Sequence, residues 1–462
     1  MTVSNIWSIP TDCPQREKRG WMGDAGISSL SLSTLFDTSA FHINFLNRIA
    51  DNQIKSCVDQ PITSIAGPCV HIDPITKIND ALTFYKGSVP DVVPFSTSPY
   101  GINPGTVDWQ ATFITIARNV IVQYGASTFP LINELWENLV ALMDYYERLI
   151  DPTTGLLLSG ARGDWIPPPD TAIKTGTKPV AAFFHTLCVK HMFEIAKALN
   201  KVAEANIYKA RYARNVKAYH TYFYNRTTTS CCYETGSQTN NMFALFLNIP
   251  PTNDIKSATI QSLVKSIQTH IPPSSKSKAW EPGPHLDMGI FGTTWIFDVL
   301  TNNNLTDLAM EILNQTSYPS FGHFIKEDAT TLWETWAGSK HVIGQGGTSR
   351  NHIMYGGNVN LFILYNVVGL PRSNVMATTL ETTFTPSNWA VTHLQRASGR
   401  LGAYAIKWER TNDVDLRVEV DVPFGVVAKV NVRGFVVDDT MTIQHGDGSL
   451  EWILRKIQTQ YV

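Results

Sequence analysis

Hydrophobic residues recur at helical spacing along most of this chain. Between Ser28 and about Ala50 they fall at Leu30, Leu35, Phe41, Phe45, Leu46 and Ile49, the one-sided pattern of an amphipathic helix. Similar patterns predict helices over 109–124, 130–149, 178–199, 202–224, 238–248, 252–270, 289–301, 304–315 and 355–368, ten in all. Most are joined by short links rich in proline, glycine or asparagine, such as Asp151-Pro152-Thr153-Thr154-Gly155 and Ile249-Pro250-Pro251. Consecutive helices with short links form antiparallel hairpins, and a run of hairpins buries its core by stacking or by closing on itself. Periodicity does not choose between an open solenoid and a closed ring. The absence of a sequence repeat at fixed period argues mildly against a regular solenoid.

After Leu370-Pro371 the pattern changes to period two. Leu401–Trp408 and Asp415–Val422 alternate apolar and polar positions, with Pro423-Phe424-Gly425 as a turn. The chain is therefore expected to hold a mainly α domain over 1–375 and a small antiparallel β-domain, a sandwich, over 376–462. Between them in character is the stretch 51–107, rich in Pro, Ser and Thr and without helical spacing. A structureless run of that length inside a compact domain is usually functional. Asp91 within it either reaches a site or is a turn carboxylate.

Composition narrows the function. A hydrophobic content of 43% and a net charge of −2 suit an ordinary soluble globular protein. There is no basic run to meet nucleic acid and no apolar run long enough to span a bilayer. The six cysteines (Cys13, Cys57, Cys69, Cys188, Cys231, Cys232) lack both metal-ligand spacing and a disulfide framework, although Cys57 and Cys69 could bridge a loop. Glycosylation sequons occur at Asn225, Asn304 and Asn314, a number chance can produce.

The densest chemistry lies in Asp12-Cys13-Pro14-Gln15-Arg16-Glu17-Lys18-Arg19-Gly20-Trp21-Met22-Gly23-Asp24. Pro10 and Pro14 oppose a helix through its first half, so it reads as an ordered loop entering a helix near Ala25. Loops on a rigid scaffold often carry catalytic groups. Carboxylates with Arg16 between them and Trp21 beside them suit an acid with sugar-binding neighbours. The competing reading is a solvated charged loop in which Arg16 pairs with Asp12 or Glu17, since surface ion pairs are common and weak. Glu334, between Trp333 and Trp336, is open to the same two readings.

The stretch resembles the signature of the α-L-rhamnosidases of glycoside hydrolase family 78. Further matches follow in the family's order: Gly87-Ser88-Val89-Pro90-Asp91-Val92-Val93-Pro94, Gly163-Asp164-Trp165 and His285-Leu286-Asp287-Met288-Gly289-Ile290-Phe291-Gly292. Tyr318-Pro319-Ser320-Phe321-Gly322, Ala329-Thr330-Thr331-Leu332-Trp333-Glu334 and Arg350-Asn351-His352 complete the set. The resemblance implies an (α/α)6 barrel of six helical hairpins with a sugar pocket at one end, followed by a β-domain. It also implies an N-terminally incomplete chain, because family members usually carry a helix and β-domains ahead of this point. The compartment cannot be read.

By the same resemblance Glu17 matches the general acid and Glu334 the general base of an inverting hydrolysis of terminal α-L-rhamnose. Asp12, Arg16 and Asp24 match groups that hold the sugar hydroxyls. Trp21, Trp109 and Trp165 match aromatic positions around the apolar face of the deoxy sugar. The chain departs from the family at Trp109-Gln110-Ala111, where many relatives have Trp-Gly-Asp-Ala. Trp333, Asp164 and His352 are expected as further sugar contacts, with Asp287 secondary. Inverting enzymes place their carboxyl groups roughly 6.5–9.5 Å apart to admit a water. An acid of this kind must hold a proton near neutral pH, which nearby negative charge or desolvation provides; Asp12 and Asp24 are suitable sources of charge. No cofactor is implied. Two other readings stay open: a lyase acting on rhamnosyl-glucuronate linkages, with extra cationic groups facing a uronate, and a non-catalytic sugar-binding relative.

Overall fold

The computed structural model describes residues 9–14, 17–55, 85–95, 103–171, 173–225, 232–269, 280–337, 349–357, 359–372, 381–423, 426–433, 435–437, 443–444 and 449–456. The chain divides into two compact units, 1–299 with 311–357, and 300–310 with 358–462.

In the first unit helices follow one another in pairs: α1 (Met22–Leu35), α2 (Ser39–Asp51), α3 (Val107–Gln110), α4 (Thr112–Tyr124), α5 (Phe129–Glu134), α6 (Trp136–Arg148), α7 (Thr177–Ala198), α8 (Val202–Phe223), α9 (Gln238–Phe246), α10 (Asn253–Gln268) and α11 (Ile290–Asn302). Successive long helices differ in burial. In α7 every residue from Pro179 to Val189 is buried, whereas α8 buries only Ala205, Tyr208, Asn215, Tyr219 and Phe223. The same contrast separates α9, buried from Gln238 to Leu245, from α10, which buries Thr259, Leu263 and Ile267. A helix apolar or small all round belongs inside a fold, and one with a single stripe belongs on its surface. The pairs are therefore hairpins with one inner and one outer helix.

The single helix expected over 28–50 is two. Phe36 is extended, and Asp37 Oδ1 accepts hydrogen bonds from the backbone N and the hydroxyl of Ser39 at 3.1 and 2.8 Å, a local bond that favours a new helix start over continuation. α1 also begins earlier than expected. Trp21 is paired with Val92 in an antiparallel bridge, and Met22 N donates to Asp91 O at 2.9 Å, so the extended loop ends there. The buried serines of α1 return their hydroxyls to the helix, as in Ser28 to Asp24 O (2.7 Å) and Ser33 to Ser29 O (2.9 Å). Two further helices were not expected from periodicity. α12 (Thr306–Asn314) was, but α13 (Phe321–Lys326) was not, and it starts where Ser320 Oγ accepts from His323 N at 2.9 Å.

The second unit holds an antiparallel sheet in the order Arg396–Leu401, Tyr404–Arg410, Asp415–Asp421, Ser449–Lys456, Phe435–Val437, with Ile443–Gln444 also against Ser449–Lys456. Alternation is visible in the buried Ile406, Trp408, Leu416, Val418 and Val420. Glu381–Phe384 pairs with Val427–Val430 in parallel, a departure from the all-antiparallel expectation. The other unexpected helix, Asn388–His393, is capped by Ser387, whose Oγ accepts from Ala390 N at 3.2 Å. Among the described residues no helix is long and apolar enough to cross a membrane.

Candidate active site

The loop ahead of α1 is closed by one buried side chain. Asp12 N donates to Arg19 O at 3.0 Å, Asp12 Oδ1 accepts from Arg19 N at 2.9 Å, and Cys13 Sγ donates to Oδ2 at 3.0 Å. The loop then docks on the 91–93 segment, where Val93 N donates to Gly20 O at 2.9 Å. A Cβ at Gly20 would lie 1.9 Å from Val93 O, so only glycine permits this approach. Glu17, half-buried inside the closed loop, accepts a 2.6 Å hydrogen bond at Oε2 from Trp21 Nε1. Arg16 lies outside the described residues.

Glu334 arrives from far along the chain on a short ribbon. Glu334 N donates to Ser349 O (3.0 Å), Ser349 N to Glu334 Oε2 (2.6 Å) and His352 N to Leu332 O (2.8 Å). This pairing presents Glu334 and His352 to one pocket, lined by Asp12, Glu17, Trp21, Asp24, Trp109, Arg162, Trp165, Glu334, His352 and Met354, with about 420 Å³ of empty space that opens to solvent. The ribbon sets Trp333 elsewhere: with Thr331, Arg350 and Asn351 it lines a separate cavity, and it packs on Phe324 with ring centroids 5.4 Å apart. Trp333, expected as a sugar contact, is thus not among the residues lining this pocket.

Asp24 lies in the first turn of α1, 4% exposed, with Oδ1 3.4 Å from His352 Nε2. Burial pushes its carboxyl well above the ordinary range, and the negative charges of Asp12, Glu334 and Glu17 push it further the same way. Burial likewise raises Asp12, with the charge of Glu17 adding to it, against the hydrogen bonds from Cys13 and Arg19. The raised carboxyls of Asp24 and Asp12 therefore sit in a field to which Glu17 and Glu334 contribute negative charge. Among the described residues Asp24 Oδ1 and the buried Trp109 Nε1 have no hydrogen-bond partner. Buried polar atoms are normally paired; the nearest polar group to Asp24 Oδ1 is His352 Nε2, at 3.4 Å.

Trp109 is held by shape. Its ring lies against Gly23, where a Cβ would come within 2.6 Å, and meets Phe291 edge-on at 5.6 Å. Trp165 is 37% exposed at the pocket wall. Asp164, beside it, does not line the pocket. Its Oδ2 accepts from Thr239 Oγ1 (2.5 Å) and Gly289 N (2.8 Å), and its Oδ1 from Phe291 N (3.0 Å) and Gly292 N (3.2 Å). It is the anionic cap of α11, which corrects the expectation of a sugar contact. Asp287 is also absent from the lining; burial and the charge of Asp164 raise its carboxyl to about 8.

Arg162 and Met354 were not anticipated. Arg162 stands over two indoles, 5.5 Å from the Trp21 ring centre and 5.2 Å from that of Trp109. Its guanidinium is bonded to Asp91, which is fully buried, and its backbone N donates to Asp108 Oδ2 at 2.8 Å. So Asp91 comes beneath the site, not into the pocket. The available signal was an arginine directly preceding Gly163-Asp164-Trp165, with an unexplained acid in the long irregular stretch.

Residues 1–367 match the family described as bacterial alpha-L-rhamnosidase 6 hairpin glycosidase domain. An alpha-L-rhamnosidase of Alteromonas sp. (strain LOR) is 23% identical over 448 residues, covering 92% of this chain and 42% of that protein. One from Formosa agariphila is 22% identical over 436 residues, covering 93% and 41%. Among solved structures, alpha-L-rhamnosidase from Dictyoglumus thermophilum shows 26% identity and a TM-score of 0.74, covering 97% of this chain and 47% of the other. The Streptomyces avermitilis alpha-L-rhamnosidase complexed with L-rhamnose shows the same fold, with a TM-score of 0.70 at 20% identity, covering 97% and 39%. The chain thus spans less than half the length of these relatives. The expected six-hairpin helical domain with a small antiparallel sheet is borne out.

Proposed function

The chain belongs to the bacterial α-L-rhamnosidase six-hairpin glycosidase family, and on that premise we propose that it removes terminal α-L-rhamnose from glycosides or oligosaccharides by inverting hydrolysis. The observation that carries this reading is that Glu17 and Glu334, from opposite ends of the helical domain's sequence, line one pocket with Asp12, Asp24 and three indoles. Two carboxyl groups lining one pocket can protonate the leaving oxygen and activate water. Glu17 is the acid and Glu334 the base. Glu334 is held through Oε2 by Ser349 N, which orients its carboxyl group.

Asp12, Asp24 and Arg16 are the hydroxyl-binding groups of this reading, with His352 holding Asp24. Trp109 offers its unpaired N–H, and the faces of Trp21, Trp109 and Trp165 cover the apolar side of a deoxy sugar. The relative complexed with L-rhamnose supports that choice of sugar. No cofactor enters the scheme, since proton transfer and water activation need only the carboxyl groups. Residues 1–375 are taken as the catalytic domain and 376–462 as its companion β-domain.

A lyase needs cationic groups turned toward a uronate. Among the described residues lining the pocket the permanent cation is Arg162, and it is engaged by the Asp91 carboxylate. That favours hydrolysis. The test is release of an aryl leaving group from an aryl α-L-rhamnoside by wild type, with loss in both Glu17→Gln and Glu334→Gln. An unsaturated, ultraviolet-absorbing product would establish the lyase, and rhamnose binding without turnover the lectin-like alternative.

A further inference from the structure

Glu17 lies in a turn and the described residues after it, 18–20, form neither helix nor strand, so contacts set the direction of its carboxyl group. One such contact is the 2.6 Å hydrogen bond that Trp21 Nε1 donates to Oε2. Trp21 is itself fixed twice by the segment around Asp91. Its backbone is bridged to Val92, and Met22 N donates to Asp91 O at 2.9 Å. Its ring lies under the Arg162 guanidinium, which the Asp91 carboxylate anchors. Asp91 is in turn pinned by Thr106, whose N and Oγ1 donate to Oδ1 at 2.6 and 3.2 Å.

Building on the rhamnosidase reading, we infer that Trp21 and Arg162 are positioning residues for the acid: the Asp91–Arg162 pair sets the plane of Trp21, and the Trp21 N–H holds Oε2 of Glu17 so that Oε1 carries the transferable proton. As the bond from C1 to the glycosidic oxygen breaks, its electron pair goes to that oxygen, which takes the proton from Oε1. Water adds to C1 and gives its proton to Glu334. Glu17 is left as a carboxylate whose charge spreads over both oxygens, and the indole N–H already stands at one of them, Oε2. Preorganised donors of this kind stabilise charge without reorganising during the step. A cation over the indole face is attracted to its electron density and draws on it, which strengthens the N–H as a donor.

The prediction concerns leaving groups. An acid matters most where the departing oxygen is basic. Trp21→Phe keeps an aromatic face for the sugar and removes the N–H. Its kcat/KM should fall roughly 10-fold further on methyl α-L-rhamnoside than on 4-nitrophenyl α-L-rhamnoside, because the rhamnosyl contacts are common to both and cancel in the ratio. Arg162→Met should move the same ratio in the same direction by less, and it supplies the measurement if Trp21→Phe fails to fold by circular dichroism. Equal losses on the two substrates, or a rise in KM alone, would reduce Trp21 to a sugar platform and overturn the inference while leaving the rhamnosidase reading intact. A wild type inactive on both substrates would overturn that reading itself.

Discussion

Oδ1 of Asp24 lies 3.4 Å from Nε2 of His352, both side chains almost fully buried and both facing a pocket that also holds Asp12, Glu17 and Glu334. This pairing does not offset the cost of the site. Burial and three neighbouring carboxylates still push Asp24 well above the ordinary range.

That cost has a pH signature. A carboxyl whose folded value exceeds its unfolded value binds its proton more tightly when folded, so the stability it contributes is full at acid pH and is lost as pH rises toward the folded value. Asp24→Asn removes the titration while keeping the shape. Between about pH 5 and pH 8 the melting temperature of wild type should fall more steeply than that of Asp24→Asn, by roughly 2–4 °C, and the variant should lose activity. Parallel melting curves across that range would contradict the shift. Asp108 and Asp287, raised by burial to about 7 and about 8, titrate in both proteins and cancel.

Replacing either proposed catalytic carboxyl should separate chemistry from binding. Glu17→Gln and Glu334→Gln each remove a proton-transfer group, a change that typically costs ~10²–10⁴-fold in rate. Steady-state kinetics should show that loss in kcat, with rhamnose still bound in calorimetry. A variant that loses binding alone would mark its residue as a sugar contact.

Stereochemistry tests the geometry directly. If a water stands between Glu17 and Glu334, attack comes from the face opposite the leaving group and β-L-rhamnose is the first product. Proton NMR during the first minutes of hydrolysis, before mutarotation, should show the β anomer accumulating ahead of the α anomer. First appearance of the α anomer would require a covalent intermediate and a different pairing of carboxyl groups.

Asp164 was expected at the sugar and is found capping a helix. Four donors converge on its two oxygens, so Asp164→Ala leaves buried N–H groups unpaired at a cost of roughly 2–4 kcal/mol. Chemical unfolding should show that loss, with KM for an aryl rhamnoside close to wild type at temperatures where the variant is folded. A large KM effect with unchanged stability would restore it to the pocket.

Much of this was legible in the chain because helical spacing and short links are local signals. The run of helical hairpins followed from them, and the resemblance named Glu17 and Glu334, which line one pocket. What escaped depended on contacts distant in sequence or on side-chain direction. Trp333 and Glu334 are neighbours in the chain, and the hydrogen bonds with Ser349 that hold Glu334 at the pocket join residues distant in sequence. Arg162 gave no periodic signal, because its role rests on an acid in the irregular stretch around Asp91.

Gly23 shows how tightly the pocket is tied to α1. In an ordinary helix Gly→Ala is stabilising by roughly 0.5–1 kcal/mol. Here the added methyl would lie 2.6 Å from the Trp109 ring, and overpacking of this kind costs roughly 1–3 kcal/mol, so the clash should win. Gly23→Ala is expected to be less stable than wild type and to bind rhamnose more weakly, because Trp109 must tilt away from the pocket. The same substitution in a Trp109→Leu background has no ring to displace, and there the helix preference should reappear as a gain in stability. The sign change between the two backgrounds, read from a double-mutant cycle, is the decisive observation: equal effects in both would mean that Gly23 is required by something other than the indole.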